Sequence, residues 1–104
     1  MKRVLLIEDE DDIREVAHAS LELTKGWEIF EADSGREGLR LAAELQPDAI
    51  LIDVMMPDLD GRYACRALKL VDDLRRIPVI LCSSADEHEV QWRTAGADAF
   101  LQKP

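Results

Sequence analysis

The chain is short of cysteine, of long apolar runs and of positive charge. Its two cysteines, Cys65 and Cys82, stand in no metal-ligand spacing and offer no disulfide framework, which points to a reducing compartment. Cys82 falls inside an apolar run and Cys65 on a helical apolar stripe, so both read as small buried hydrophobes. The basic start, Met1-Lys2-Arg3, is followed by only four apolar residues before Glu8. That is too short for a signal peptide, and no segment could span a membrane. A cytoplasmic location is expected. Thirteen basic residues stand against 22 acidic ones, a net charge of −9, which argues against direct binding to nucleic acid or an anionic membrane. There are no internal repeats, low-complexity stretches or linkers. A length of 104 residues with 47% hydrophobic and 34% charged residues gives one globular domain over residues 1–104.

What is present is an alternation of strand-like and helix-like segments. Val4-Leu5-Leu6-Ile7 reads as a first strand. Asp12-Ile13-Arg14-Glu15 then resembles a capping box with Asp12 as N-cap, and Ile13, Val16, Ala17, Ser20 and Leu23 recur at helical spacing up to Lys25-Gly26. Trp27 to Ala32 is a mixed strand suited to a sheet edge. Ser34-Gly35-Arg36-Glu37 is a better capping box, opening a helix with Gly38, Leu41, Ala42 and Leu45 on one face and stopped by Pro47. Ala49 to Ile52 is a third strand. Pro57-Asp58-Leu59-Asp60-Gly61 is a loop by composition, and Ala64, Cys65, Leu68 and Val71 form the stripe of a third helix. Val79 to Cys82, a weak fourth helix over 87–95, and Ala99 to Leu101 complete the series. Three strands are apolar on both faces, as in a parallel sheet covered by helices on each side. Right-handed crossovers restrict this pattern to a doubly wound sheet, whose ligands bind beyond the carboxyl ends of the strands.

Those ends carry the chemistry. Glu8 and Asp9 follow the first strand, Asp53 the third, Ser83 the fourth and Lys103 the fifth. Three carboxylates brought together repel one another unless a cation sits among them. All-oxygen ligands with room for water and phosphate favour Mg²⁺ over Ca²⁺. A carboxylate can act as a nucleophile toward phosphorus, and phosphoryl transfer needs in-line positioning and neutralised phosphoryl oxygens. Asp53 is the natural nucleophile, Lys103 the point charge and Ser83 a donor to the phosphoryl group. Helix capping explains Asp12 and Ser34 but neither Asp53 nor Lys103.

Four segments, Leu5 to Glu10, Ile52 to Gly61, Pro78 to Ser83 and Gly96 to Pro104, resemble in order and spacing the receiver domain of bacterial two-component response regulators. The resemblance covers essentially the whole chain. It implies a flavodoxin-like sandwich with five parallel strands in order 2-1-3-4-5. It implies further that Asp53 accepts a phosphoryl group from a sensor histidine kinase, a phosphotransfer protein or a small acyl phosphate. Asp9 is then a direct Mg²⁺ ligand, Glu8 acts through water, and the carbonyl of Met55 joins Asp53 among the metal ligands. Ser83 resembles the switch hydroxyl and Phe100 the aromatic that changes rotamer with it. The bond from Lys103 to Pro104 is often cis in the family.

The expected function is a phosphorylation-dependent switch rather than an enzyme acting on an external substrate. It would remodel the surface around the fourth helix and fifth strand and so regulate an effector domain or protein. Alternatives are an aspartyl-phosphate phosphatase or phosphotransferase, weakened by Met55 where a second acid is wanted, and a receiver-shaped scaffold that is never phosphorylated. The sequence departs from the family at Ser84, usually Ala, and in a slightly short segment from Ser83 to Phe100. It also ends at Pro104, before a fifth helix. Without that helix, apolar side chains of three strands would lie exposed, so a homodimer, domain swapping, low stability or a longer natural chain is expected. His18, His88 and the Arg75-Arg76 pair read as solvated residues. Trp92 reads as either part of a partner interface or packed under the shortened segment.

Overall fold

A computed structural model describes residues 2–86 and 90–103. Its elements are β1 (Arg3–Ile7), α1 (Asp11–Lys25), β2 (Glu28–Ala32), α2 (Gly35–Leu45), β3 (Ala49–Asp53), α3 (Gly61–Lys69), β4 (Val79–Ser83) and β5 (Ala99–Gln102). The five strands form one parallel sheet in the order β2-β1-β3-β4-β5, the flavodoxin-like arrangement expected.

Alternation along the strands divides the core. Leu5 and Ile7 of β1, Ile50 and Ile52 of β3, and Val79 and Leu81 of β4 point to the side of α2 and α3. There they pack with Ala42, Ala64, Cys65 and Leu68. Val4 and Leu6 point to the other side, with Ile29, against Ala17 and Leu21 of α1. On that side Leu51 of β3, Cys82 of β4 and Leu101 of β5 line a groove of ≈ 260 Å³ bordered by Leu6, Ile13 and Ala17. Leu51 is half-buried and Leu101 is 55% exposed.

Several local expectations need correction. Asp12 is not the N-cap of α1: that place is held by Glu10, whose side chain makes no cap bond, and Asp12 lies in the first turn. There its charge favours the helix dipole instead. The apolar stripe of α1 also faces less inward than its spacing implies, for Val16 and Leu23 are 67% and 87% exposed. Val71 lies beyond the end of α3 and is exposed. His18 is half-buried and bonded rather than simply solvated, because Glu31 of β2 and Glu22 of its own helix flank its ring. Ser34 does cap α2, its Oγ accepting from the Glu37 N–H at 3.2 Å. Trp92 is half-buried against the main core, with the Arg93 guanidinium 4.2 Å from its ring centroid. The expected fourth helix and His88 fall partly or wholly outside the described residues, as does the Lys103–Pro104 bond. Residues 91–96 run as turns, with Gln91 and Gly96 at positive φ.

Candidate functional site

Because every strand runs the same way, the carboxyl ends of β1, β3, β4 and β5 meet at one edge. Glu8 leaves β1 and donates its N–H to the carbonyl of Ala32 at 3.0 Å. Asp53 closes β3, opposite Cys82 of β4. Glu8 and Asp53 are buried, 3% and 6% exposed, and Asp9 is half-buried. One carboxylate oxygen from each of Glu8, Asp9 and Asp53 lies within 4.8 Å of the other two. Lys103, just past β5, donates from Nζ to Glu8 Oε1 at 2.8 Å and to Asp53 Oδ1 at 2.9 Å.

The electrostatics match this crowding. Burial and the neighbouring Glu8 lift the Asp9 carboxyl above the usual carboxylate range, against the opposing pull of its own backbone N–H and of Lys103. Burial alone would lower the pKa of Lys103, but its hydrogen bonds to Asp53 and Glu8 outweigh that and hold it above the usual lysine value. Asp9 Oδ1 is buried without a hydrogen-bond partner. A buried carboxylate oxygen without a donor is costly. Three clustered carboxylates with a single ammonium suit a hard divalent cation, so the residues present fit Mg²⁺.

The structure thus brings together four of the residues singled out from the sequence: Glu8, Asp9, Asp53 and Lys103. Ser83 is 1% exposed and stands one register step beyond Asp53, its Oγ accepting from the Ala85 N–H at 3.0 Å and its carbonyl from the Lys103 N–H at 2.8 Å. Met55 follows Asp53 by two residues and is 72% exposed. Phe100 pairs with Leu81 in the sheet and packs half-buried against the core. Burial pushes the thiol of Cys82, beneath the site, up to about 11, and that of Cys65 likewise. Both are thereby kept as unreactive hydrophobes.

Two supporting residues carry no signal in the sequence. Arg14 of α1 donates to the Glu8 carbonyl at 2.9 Å, to Glu31 of β2 at 3.0 Å and to Asp11 at 2.6 Å. It thereby ties the acidic turn to two elements. Asp58 accepts from the N–H groups of Gly35 and Arg36, both at 3.0 Å. The contacts of Arg14 with Glu31 and of Asp58 with Gly35 and Arg36 join residues 17 to 23 apart in the chain, where no local pattern marks them.

A family model described as the response regulator receiver domain matches residues 4–104. The chain is 39% identical over 102 residues to the response regulator MprA of Mycolicibacterium vanbaalenii, covering 98% of this chain and 44% of that protein. It therefore spans less than half the length of such curated relatives. Among solved structures it resembles the Vibrio cholerae chemotaxis response regulator CheY4, with a TM-score of 0.93 and 28% identity over 100% of this chain and 88% of that one. It also resembles the receiver domain of a Pseudomonas aeruginosa sensor histidine kinase, with a TM-score of 0.89 and 30% identity over 99% of this chain and 85% of that one. That structure's title describes a magnesium ion coordinated in its active-site cleft.

Proposed function

The chain belongs to the response regulator receiver domain family, and we propose that residues 1–104 form one receiver that is phosphorylated on Asp53. The observation that carries this reading is the bridge from Lys103 to both Asp53 and Glu8, beside an Asp9 oxygen that has no partner. A cluster kept for stability would pair its carboxylates fully. This one leaves a buried acceptor open and surrounds it with negative charge.

Asp53, Asp9 and the Met55 carbonyl would hold Mg²⁺ directly, with Glu8 acting through water. When bound, the ion would neutralise the oxygens of the incoming phosphoryl group. An Asp53 carboxylate oxygen attacks phosphorus and forms a new P–O bond. The bond from phosphorus to the donor breaks, and its electron pair leaves on the imidazole of a phosphohistidine or the carboxylate of an acyl phosphate. Lys103 stays against the acceptor and pairs with the transferred group. The Ser83 hydroxyl exchanges its bond from Ala85 for one to a phosphoryl oxygen. Phe100 then shifts rotamer and changes the surface around residues 90–102. Phosphorylation would bias an equilibrium between two existing arrangements.

On this reading the protein is a cytoplasmic switch, assisting only its own phosphorylation and dephosphorylation. Its partners would be a sensor histidine kinase or phosphotransfer protein and an effector domain or protein. No helix among the described residues is long and apolar enough to cross a membrane. The test is incubation with acetyl phosphate and Mg²⁺ followed by intact-mass measurement. One added phosphoryl group is expected, lost with EDTA and in Asp53→Asn. No addition, or addition that survives Asp53→Asn, refutes the assignment.

A further inference from the structure

We propose that Asp58 is a positioning residue for the metal site: it latches residues 54–60, and with them the Met55 carbonyl, onto the first turn of α2. This inference rests on the metal reading given above. The segment leaves β3 at Asp53 and returns at Gly61, whose N–H closes it onto the Val54 carbonyl at 2.9 Å. Met56 anchors its inner side in the main core and Leu59 packs against that core, while Met55, Pro57 and Asp58 are exposed. Core packing fixes the Met56 side of the Met55–Met56 peptide, and the exposed outer turn at residues 57–58 needs a second hold.

Asp58 supplies that hold with both carboxylate oxygens, one on the Gly35 N–H and one on the Arg36 N–H. Those N–H groups belong to the first turn of α2, where they have no partner within the helix. The same two bonds keep the Asp58 carboxyl below the usual carboxylate range. The next residue, Leu59, lies against Gly35 so closely that a Cβ there would stand 2.7 Å from the Leu59 Cβ. Two consecutive loop residues are therefore seated on two consecutive helix residues.

The other half of the metal site is indexed to the same turn. A Cβ on Gly38 would stand 2.4 Å from Ile7 Cδ1, so α2 rests directly on the residue that precedes Glu8 and Asp9. Ile7, which leads into Glu8 and Asp9, and the loop that carries Met55 thus both rest on residues 35–38. Loss of the latch frees only the loop half. By linkage, a cation bound across both halves must in turn stabilise the contact between Asp58 and α2.

The test compares Asp58→Ala with Ser34→Ala, which removes the other N-terminal cap of α2 and touches neither half of the site. Both should lower the urea midpoint, because each removes a helix cap. Only Asp58→Ala should weaken Mg²⁺ binding measured by calorimetry, by roughly tenfold. Asp58→Asn, which keeps one acceptor oxygen, should fall between it and the parent. In the parent protein, amide hydrogen exchange at Gly35 and Arg36 should slow when Mg²⁺ is added. Parent-like Mg²⁺ affinity in Asp58→Ala overturns the proposal, as does equal weakening in Ser34→Ala or unchanged exchange at both amides. Should Asp58→Ala fail to fold, Asp58→Asn decides by the same affinity criterion. A parent protein that takes up no Mg²⁺ refutes the metal reading itself, a result distinct from these.

Discussion

Replacing Asp9 by Asn should make the metal-free protein more stable, although it removes a residue from the site. One oxygen of Asp9 lies within 4.8 Å of oxygens of both Glu8 and Asp53. Two unit charges at that distance repel by about 3 kcal/mol at an effective dielectric of ~20. Asp9 therefore faces two such repulsions. One attraction of similar size offsets them, from the single ammonium of Lys103, which bonds the other two carboxylates. The balance is about 3 kcal/mol against the charged form, and half-exposure with solvent screening reduces it to about 1–2 kcal/mol. The raised pKa of Asp9 has the same sign. An Asn at position 9 has nearly the same shape, carries no charge and offers an N–H to the surrounding carboxylates. Urea unfolding in EDTA at pH 7 should show the variant's midpoint higher by about 1 M, taking a slope of 1–2 kcal/mol/M for a small domain. Adding Mg²⁺ should raise the parent's midpoint, since a ligand that binds only the folded state stabilises it, and should raise the variant's much less. A variant equal to or less stable than the parent in EDTA would refute the reasoning. Asp9 would then be held by interactions that the repulsion argument omits.

Two further outcomes follow from contacts outside the carboxylate cluster. Gly61→Ala would place a Cβ 2.3 Å from the Asp53 carbonyl oxygen and 2.9 Å from the Val54 Cα, backbone atoms that cannot rotate away. A loss of about 2–3 kcal/mol is expected, read as a fall of roughly 10 °C or more in Tm; a fall below about 3 °C would mean that the loop opens at little cost. His18 has carboxylates of Glu31 and Glu22 at its two ring nitrogens. Burial pulls its pKa down, but the bonds to Glu31 and Glu22 outweigh it and leave the value raised above 6.5. A raised folded-state pKa means stability fully present below the unfolded value and lost as pH climbs above about 6.5 through the folded value. The loss should stay under about 1 kcal/mol because these groups are partly exposed. Urea midpoints at pH 6 and pH 8 should differ in the parent and converge in His18→Gln; equal slopes in the two proteins would exclude His18 as the source.

Most of the fold could be read from the sequence because local rules and the global arrangement agree. Val4–Ile7 is apolar on both faces because both are covered. Ala49–Ile52 and Val79–Cys82 carry the same pattern, although Leu51 and Cys82 line a groove on the α1 side. The parallel order follows from the helices between the strands. The reading failed where a rule had two answers. Asp12 satisfies the capping pattern, but the helix begins two residues earlier, at Asp11 with Glu10 as N-cap, and takes the Asp12 carboxylate into its first turn at similar cost. The helical spacing of Val16 and Leu23 marks an apolar stripe without saying how much of it meets the sheet. His18 looked solvated because its partner Glu31 lies on another element, thirteen residues away.

The site divides along the same line. Asp53 and Lys103 could be picked out because they break local expectation: a carboxylate ends a buried strand, and a lysine follows an edge strand that needs no charge there. Such violations mark function because stability alone would remove them. Asp58 and Arg14 break nothing. Each is an ordinary polar residue, one in a turn and one on a helix, and each acquires its role from where the sheet brings its partners. Glu8, Asp9 and Asp53 repel one another, so they cannot hold their own geometry. It is set by partners outside the trio: Lys103 bridges Glu8 and Asp53 and Arg14 holds the Glu8 carbonyl, while Asp58, on the N–H groups of α2, holds the neighbouring loop. The residues that do the chemistry are therefore legible one at a time, and those that position them only once the chain is folded.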